Sequence, residues 1–351
     1  MTRPRTGIER GALGGFLVIG AVVVLGASAF AYTAGWLTPG RLSPTKIVNS
    51  LAPPGGPALG HRRNHTKGIC FTGEFRANGA GSALSSARVL AAGTYPAIGR
   101  FNLASAEFPV ADAAVPIRGL GLQIAAPAAT WRMAMITAPF FPVSSPQGFY
   151  DLQKAAHAKD PNAMKDFIAA HPSFLPFVAW VKSSIWTASY AENQFNSLDS
   201  FAFTNAQGQK SIVRWSWVPE AAPVAITPKA LMQKGQNALE QEISDRVAKA
   251  PQSWRLVITV ANPGDPTSDP SKAWPTDRRT VDAGTLTVDK IQPEPDGPCR
   301  DLNFDPTVLP AGMATSDDPF PAARSAAYAV SYNRRTAEAA DYPHKDAGVA
   351  P

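Results

Sequence analysis

The chain has 351 residues, 45% hydrophobic and 17% charged, enough apolar material for one large domain or two ordinary ones, which excludes global disorder. Its formal net charge of +6 is spread without a long basic run, so nucleic-acid binding is not indicated. Two cysteines and five histidines, with no CxxC or HExxH, argue against a zinc site built from protein alone.

Gly11 to Trp36 carries no charged residue. As a helix rising about 1.5 Å per residue, it crosses a hydrocarbon core of roughly 30 Å. Arg3, Arg5 and Arg10 precede this run against a single Glu9, which keeps the N-terminus cytoplasmic and exports everything after Trp36. Ala27-Ser-Ala29 and Ala29-Phe-Ala31 are small-x-small sites, so a cleaved signal peptide competes with an uncleaved anchor; the length of the apolar run favours the anchor. The expected location is the cell inner membrane, single-pass, with the folded part on the periplasmic side. There Cys70 and Cys299 meet an oxidising compartment, and a disulfide between them and two unpaired buried thiols are both open readings.

The expected domains are 1–36, a transmembrane anchor or signal segment; 37–60, a Pro/Gly-rich tether; and 61–351, the folded domain. In the last, Ile69 to Phe75 alternates as a strand, and Gly99 to Leu103 reads as a short one. Arg118 to Ile124 and Trp131 to Ile136 form a strand pair joined by an Ala/Pro connection. Pro146 to Ala158 reads as a helix with proline in its first turn, and Pro161 to Ala170 and Pro172 to Val181 as two shorter ones. Asp199 to Thr204 and Ser211 to Val218 flank Asn205-Ala-Gln-Gly208, a hairpin turn sequence. Pro228 to Ala250 reads as the longest soluble helix, followed by strands Ser253 to Ala261 and Gly284 to Ile291 around a long Pro/Asp-rich loop. Strands, helices, more strands and a closing helix predict an α+β fold with an antiparallel sheet or barrel.

That closing helix runs from Asp318 to Arg335, capped by Ser316 or Asp317. Arg324 and Tyr328 are spaced i, i+4 and share one face. A guanidinium beside a phenol favours the phenolate, a hard anionic ligand suited to ferric iron and one of the known axial haem ligands. Tyr332 shares the face and is a rival on geometry.

Several segments, in order, carry a family resemblance. Arg62-Arg-Asn-His-Thr-Lys-Gly68 resembles the catalase R-x-x-H-x-K-G segment; Arg100-Phe101-Asn102 and Arg118-Gly-Leu resemble the R-F-S and R-G-F stretches. Leu302 to Met313 is similar to the F-D-P-x-x-x-P-x-G-I motif, and Arg324-Ser-Ala-Ala-Tyr328 to the R-x-x-x-Y haem-ligand helix. The resemblance spans Arg62 to Arg335 and is strongest to the small catalase-related peroxidases; the chain has no room for the large wrapping and C-terminal regions of full-size catalases.

The resemblance implies an antiparallel catalase-like β-barrel with surrounding helices enclosing haem b. It implies Tyr328 as the proximal iron ligand with Arg324 as its charge partner, His65 as the distal acid/base, and Arg62 and Arg100 near the haem propionates. Peroxide cleavage needs a proton moved from one peroxide oxygen to the other, a task for a neutral histidine. The implied partners are a peroxide, hydrogen peroxide or an organic hydroperoxide, and a small organic reductant; homo-oligomerisation stays open. Two departures stand out. The segment that carries a distal asparagine in full catalases reads Met135-Ile-Thr-Ala-Pro139 here, with Thr137 the nearest polar residue, and Asn102 replaces the usual serine. Peroxidatic chemistry is therefore expected above fast catalatic turnover. A true catalase and a haem-binding scaffold without turnover are the alternatives.

Overall fold

The structure is a computed structural model that describes residues 10–33, 37–38 and 40–338. It divides into two compact units, Met1–Ser43 and Pro44–Pro351. In the first, α1 (Arg10–Thr33) presents its apolar side chains from Phe16 to Tyr32 to the outside. By length and composition Gly14–Thr33 can cross a membrane.

The second unit begins earlier than the sequence suggested. Within the stretch read as a tether, Pro44–Ser50 forms α2 and buries Ile47 and Val48. The short amphipathic repeat is masked in the sequence by the Pro and Gly residues around it.

Ten strands follow among the described residues: β1 (Gly68–Ala77), β2 (Gly93–Leu103), β3 (Arg118–Ala126), β4 (Ala129–Ile136), β5 (Phe195–Asn196), β6 (Phe201–Thr204), β7 (Lys210–Pro219), β8 (Gln252–Val260), β9 (Thr280–Pro293) and β10 (Met313–Thr315). The pairings run β7-β5-β4-β3-β2-β1-β9-β8 and close through β7–β8 into an eight-stranded antiparallel barrel. Closure removes the exposed edges an open sheet would leave. The β6–β7 hairpin turns at Asn205–Gly208 as its sequence predicted, and β10 extends it beyond the barrel. Alternation sends Phe71, Phe101, Trp131, Trp217, Trp254 and Leu286 into one buried cluster. The rings meet in close pairs, such as Trp131 with Trp215 at 5.0 Å between centroids.

The helices are α3 (Pro146–Ala156), α4 (Ala163–Ala170), α5 (Leu175–Ser183), α6 (Pro228–Gln233), α7 (Ala238–Lys249) and α8 (Phe320–Ala337). Ser145 caps α3 by accepting from the Gly148 N–H at 3.1 Å. The helix expected over Pro228 to Ala250 is two, broken at Lys234–Asn237 by a Gly/Asn-containing run, so α8 is the longest helix of this unit among the described residues. The start of α8 also differs from expectation. The Phe320 N–H donates to Asp318 at 2.9 Å, so Asp318, and not Ser316 or Asp317, satisfies it.

Where β3 and β4 face away from the barrel core beside Arg100 and Asn102 of β2, their residues are small. Gly121 and Gly119 pair with Arg100 and Asn102 across the ladder, and Ala134 pairs with Gly121. Arg100, Asn102, Gly121 and Ala134 form the floor of a cavity roofed by α2, α3, α5 and α8.

Candidate active site

His65 sits in the loop entering β1, and the residues after it are anchored. The buried Lys67 ammonium donates to Asp112 at 2.6 Å and to the Gln236 carbonyl at 2.7 Å, while the Thr66 hydroxyl donates to the Glu107 carbonyl at 2.6 Å. His65 itself has φ +56°, a left-handed backbone that costs a non-glycine residue energy and persists only where the surroundings enforce it.

The His65 ring is oriented by Asn102, whose side-chain oxygen lies 2.6 Å from Nδ1. The Asn102 amide donates to the Arg100 carbonyl at 3.2 Å, which turns its oxygen toward the imidazole. Nδ1 therefore carries the hydrogen and Nε2 keeps its lone pair. Gly119 makes this contact possible: a Cβ there would stand 2.2 Å from the Asn102 oxygen and 3.1 Å from Nδ1. Burial pushes the His65 pKa down to about 4; the Asn102 hydrogen bond acts in the other direction, and Arg100, Arg324 and Arg62 reinforce the drop. The ring is neutral at ordinary pH.

Tyr328 and Arg324 project from α8 into the same cavity. Arg324 Nη2 donates to the Tyr328 oxygen at 3.1 Å and to the Ala134 carbonyl at 2.7 Å, and its Nη1 is ion-paired with the buried Asp199. Burial opposes the charge of Arg324, but Asp199 and Tyr328 outweigh it and the pKa rises. Asp318 lies behind this pair, accepting from the Ser200 N–H at 3.1 Å; burial and the neighbouring Asp199 raise its pKa to about 7. The Leu302–Met313 segment latches α8 from below, with the Ser325 hydroxyl donating to Asp305 at 2.6 Å. Tyr332 also lines the cavity, its ring beneath the Arg335 guanidinium at 4.9 Å.

The third wall is basic. Arg62, Arg100 and Arg335 line it, and Glu294 stands among them. Arg100 grips Glu294 bidentately at 2.7 and 2.6 Å, and Arg62 pairs with the same carboxylate. Arg62 and Arg335 both donate to the Leu302 carbonyl, at 3.0 and 3.1 Å. Cys70 and Cys299 are disulfide-bonded across a sequence separation of 229. This bond ties β1 to the segment that carries those carbonyls.

All five residues singled out from the sequence, Arg62, His65, Arg100, Arg324 and Tyr328, line one cavity of about 350 Å³. The rest of its wall is largely apolar, including Leu120, Ile136, Phe141, Phe149, Phe177 and Phe304. Of the Met135–Pro139 stretch, Met135 and Ile136 line the cavity, while the hydroxyl of Thr137, its nearest polar residue, accepts from the Arg118 N–H at 3.3 Å instead. Sequence reasoning missed Asp199, Glu294 and Arg335. Arg335 had a signal, lying seven residues, two helical turns, beyond Tyr328; Glu294, in a Pro-Glu-Pro run, had none.

A closed antiparallel barrel thus carries a tyrosine–arginine helix and a histidine with a left-handed backbone on one cavity. The chain belongs to the catalase family: the family model described as Catalase matches residues 39–343. It is 34% identical to a catalase-related peroxidase of Synechococcus elongatus over 90% of this chain and 95% of that one. It is 30% identical to a catalase-related peroxidase of Mycolicibacterium paratuberculosis, over 85% of this chain and 96% of that one. A solved bacterial catalase shares the fold with a TM-score of 0.69 at 16% identity, covering 78% of this chain and 57% of that one. The chain thus spans nearly all of those two relatives and little more than half of the solved catalase.

Proposed function

We propose that this protein is a haem peroxidase that reduces hydrogen peroxide, or a small organic hydroperoxide, with electrons from a small organic donor. One observation carries the reading: the His65–Asn102 and Arg324–Tyr328 pairs line the same cavity in a chain of the catalase family.

The residues present fit a haem. The largely apolar wall suits the macrocycle, the Tyr328 oxygen is an iron donor, and the basic end, with Arg62 and Arg335, suits the carboxylates of haem b. When bound, haem supplies the redox chemistry of O–O cleavage and electron uptake. Tyr328 would hold the iron, and the Arg324 N–H directed at its oxygen stabilises the anionic form of that ligand. Asp199 keeps Arg324 in place. His65 Nε2 accepts a proton from one peroxide oxygen and returns it to the other, while Asn102 holds the Nδ1 hydrogen throughout. One peroxide, two protons and two electrons from donors then give two waters. The Met135–Pro139 stretch carries no asparagine and turns Met135 and Ile136 to the cavity, which supports donor oxidation over disproportionation.

The apolar α1 and the Cys70–Cys299 bond support anchorage by the N-terminal helix with the barrel on the extracytoplasmic side.

The test is to assay the purified protein, loaded with ferric haem, for oxidation of a phenolic dye by hydrogen peroxide and for oxygen release. Dye oxidation exceeding oxygen release is the expected result. Oxygen release without dye oxidation would mark a catalase, and haem binding without either a scaffold.

A further inference from the structure

We propose that Glu294 and Arg100 form a buried brace that holds His65 in its working conformation, making both positioning residues for proton transfer. The inference rests on His65 being the acid/base.

Arg100 is almost fully buried, and two of its contacts are made to the protein backbone. Nη1 donates to the His65 carbonyl at 2.8 Å and Nη2 to the Thr66 carbonyl at 2.9 Å. These two carbonyls belong to the two successive peptides that follow the left-handed residue, His65 at φ +56°. Two charge-assisted hydrogen bonds on successive carbonyls fix the direction in which the chain leaves His65. The Asn102 bond then fixes only the ring. The same arginine supports that bond too, because the Asn102 amide donates to the Arg100 backbone carbonyl at 3.2 Å.

A guanidinium buried this deeply needs a partner charge. Glu294 provides it through a planar two-point contact, Nε to Oε1 at 2.7 Å and Nη2 to Oε2 at 2.6 Å. Glu294 stays ionised: burial works against its charge, and Arg100 and Arg62 outweigh burial. Its own position is rigid. Pro293 pairs with Ile69 at the end of the β1–β9 ladder, and the Gly297 N–H donates to the Glu294 carbonyl at 3.0 Å. Room for the brace comes from Gly68, where a Cβ would stand 2.6 Å from the Arg100 guanidinium carbon. Lysine at 100 could match the charge but not the two-point grip or the reach to both carbonyls.

The test is made on the full chain with Glu294→Gln, which keeps the shape and removes the charge. Histidine ring ¹⁵N NMR of the haem-free chain should show His65 as one Nδ1–H tautomer in the wild type and a tautomer mixture in the variant. Loaded with haem, the variant should keep the Tyr328-dependent absorption and lose tenfold or more in peroxide cleavage, with the KM for the dye unchanged. Arg100→Lys should reproduce both changes, and decides the matter by the same readouts if Glu294→Gln does not fold. Wild-type His65 signals and cleavage rates in either folded variant, with weakened haem uptake, would overturn the proposal and assign the pair to the haem carboxylates. Because the NMR readout needs no haem and no turnover, a failure of the acid/base role itself is distinguished separately by His65→Ala.

Discussion

The Asn102 side-chain oxygen and His65 Nδ1 are 2.6 Å apart, and that contact decides which imidazole nitrogen faces the cavity. Asn102→Ala removes the acceptor and frees the ring to change tautomer. Peroxide cleavage should fall by roughly ten- to a hundredfold while haem is retained, as for other outer partners of a site. Gly119→Ala should have a similar effect by crowding the same oxygen. Stopped-flow measurement of peroxide cleavage checks both, and unchanged rates would remove Asn102 from its positioning role.

The buried His65 titrates near pH 4, below the 6.5 of a free side chain. Burial disfavours the imidazolium, so protonation favours the unfolded chain. The contribution of His65 to stability is therefore complete above about pH 6.5 and falls away as the pH drops toward 4, by on the order of 3 kcal/mol. Peroxide cleavage should likewise hold constant down to about pH 5 and decline with an acid limb near 4. A pH–rate profile with its acid limb at 6.5 would contradict this.

Asp199 faces Arg324 in a buried ion pair. Asp199→Asn leaves that guanidinium without its carboxylate and should cost about 3 kcal/mol, the scale for removing one partner of a buried pair. Denaturant titration gives the stability change. The absorption of the haem-loaded variant should shift as well, since Arg324 is then held less firmly against Tyr328.

The Cys70–Cys299 bond closes a loop across a sequence separation of 229. Chain entropy sets its contribution at about 5 kcal/mol as an upper value. The double substitution Cys70→Ser, Cys299→Ser should lower the denaturant midpoint correspondingly, and added reductant should lower that of the wild type but leave the double variant unchanged.

Much of this site was legible because its parts are local. The R-x-x-x-Y pair needs one helical turn, and the segment around His65 needs seven residues, so short motifs carry them. Most barrel strands were legible from their sequences, although β2 begins six residues before the stretch recognised and β5, only two residues long, was not read at all. What stayed hidden depends on long-range placement. Asp199 meets Arg324 across 125 residues, and Glu294 meets Arg100 across 194. Neither has a local pattern. The α2 segment was hidden for a different reason: its buried face is only two residues wide, too short to register as a periodicity among prolines.

The most direct test of the account is the visible absorption of the full-length protein loaded with ferric haem, compared with Tyr328→Phe prepared in the same way. The account predicts a tyrosinate-ligand spectrum in the wild type that is lost in the variant. An identical spectrum in both would contradict it and move the iron ligand to Tyr332 or elsewhere.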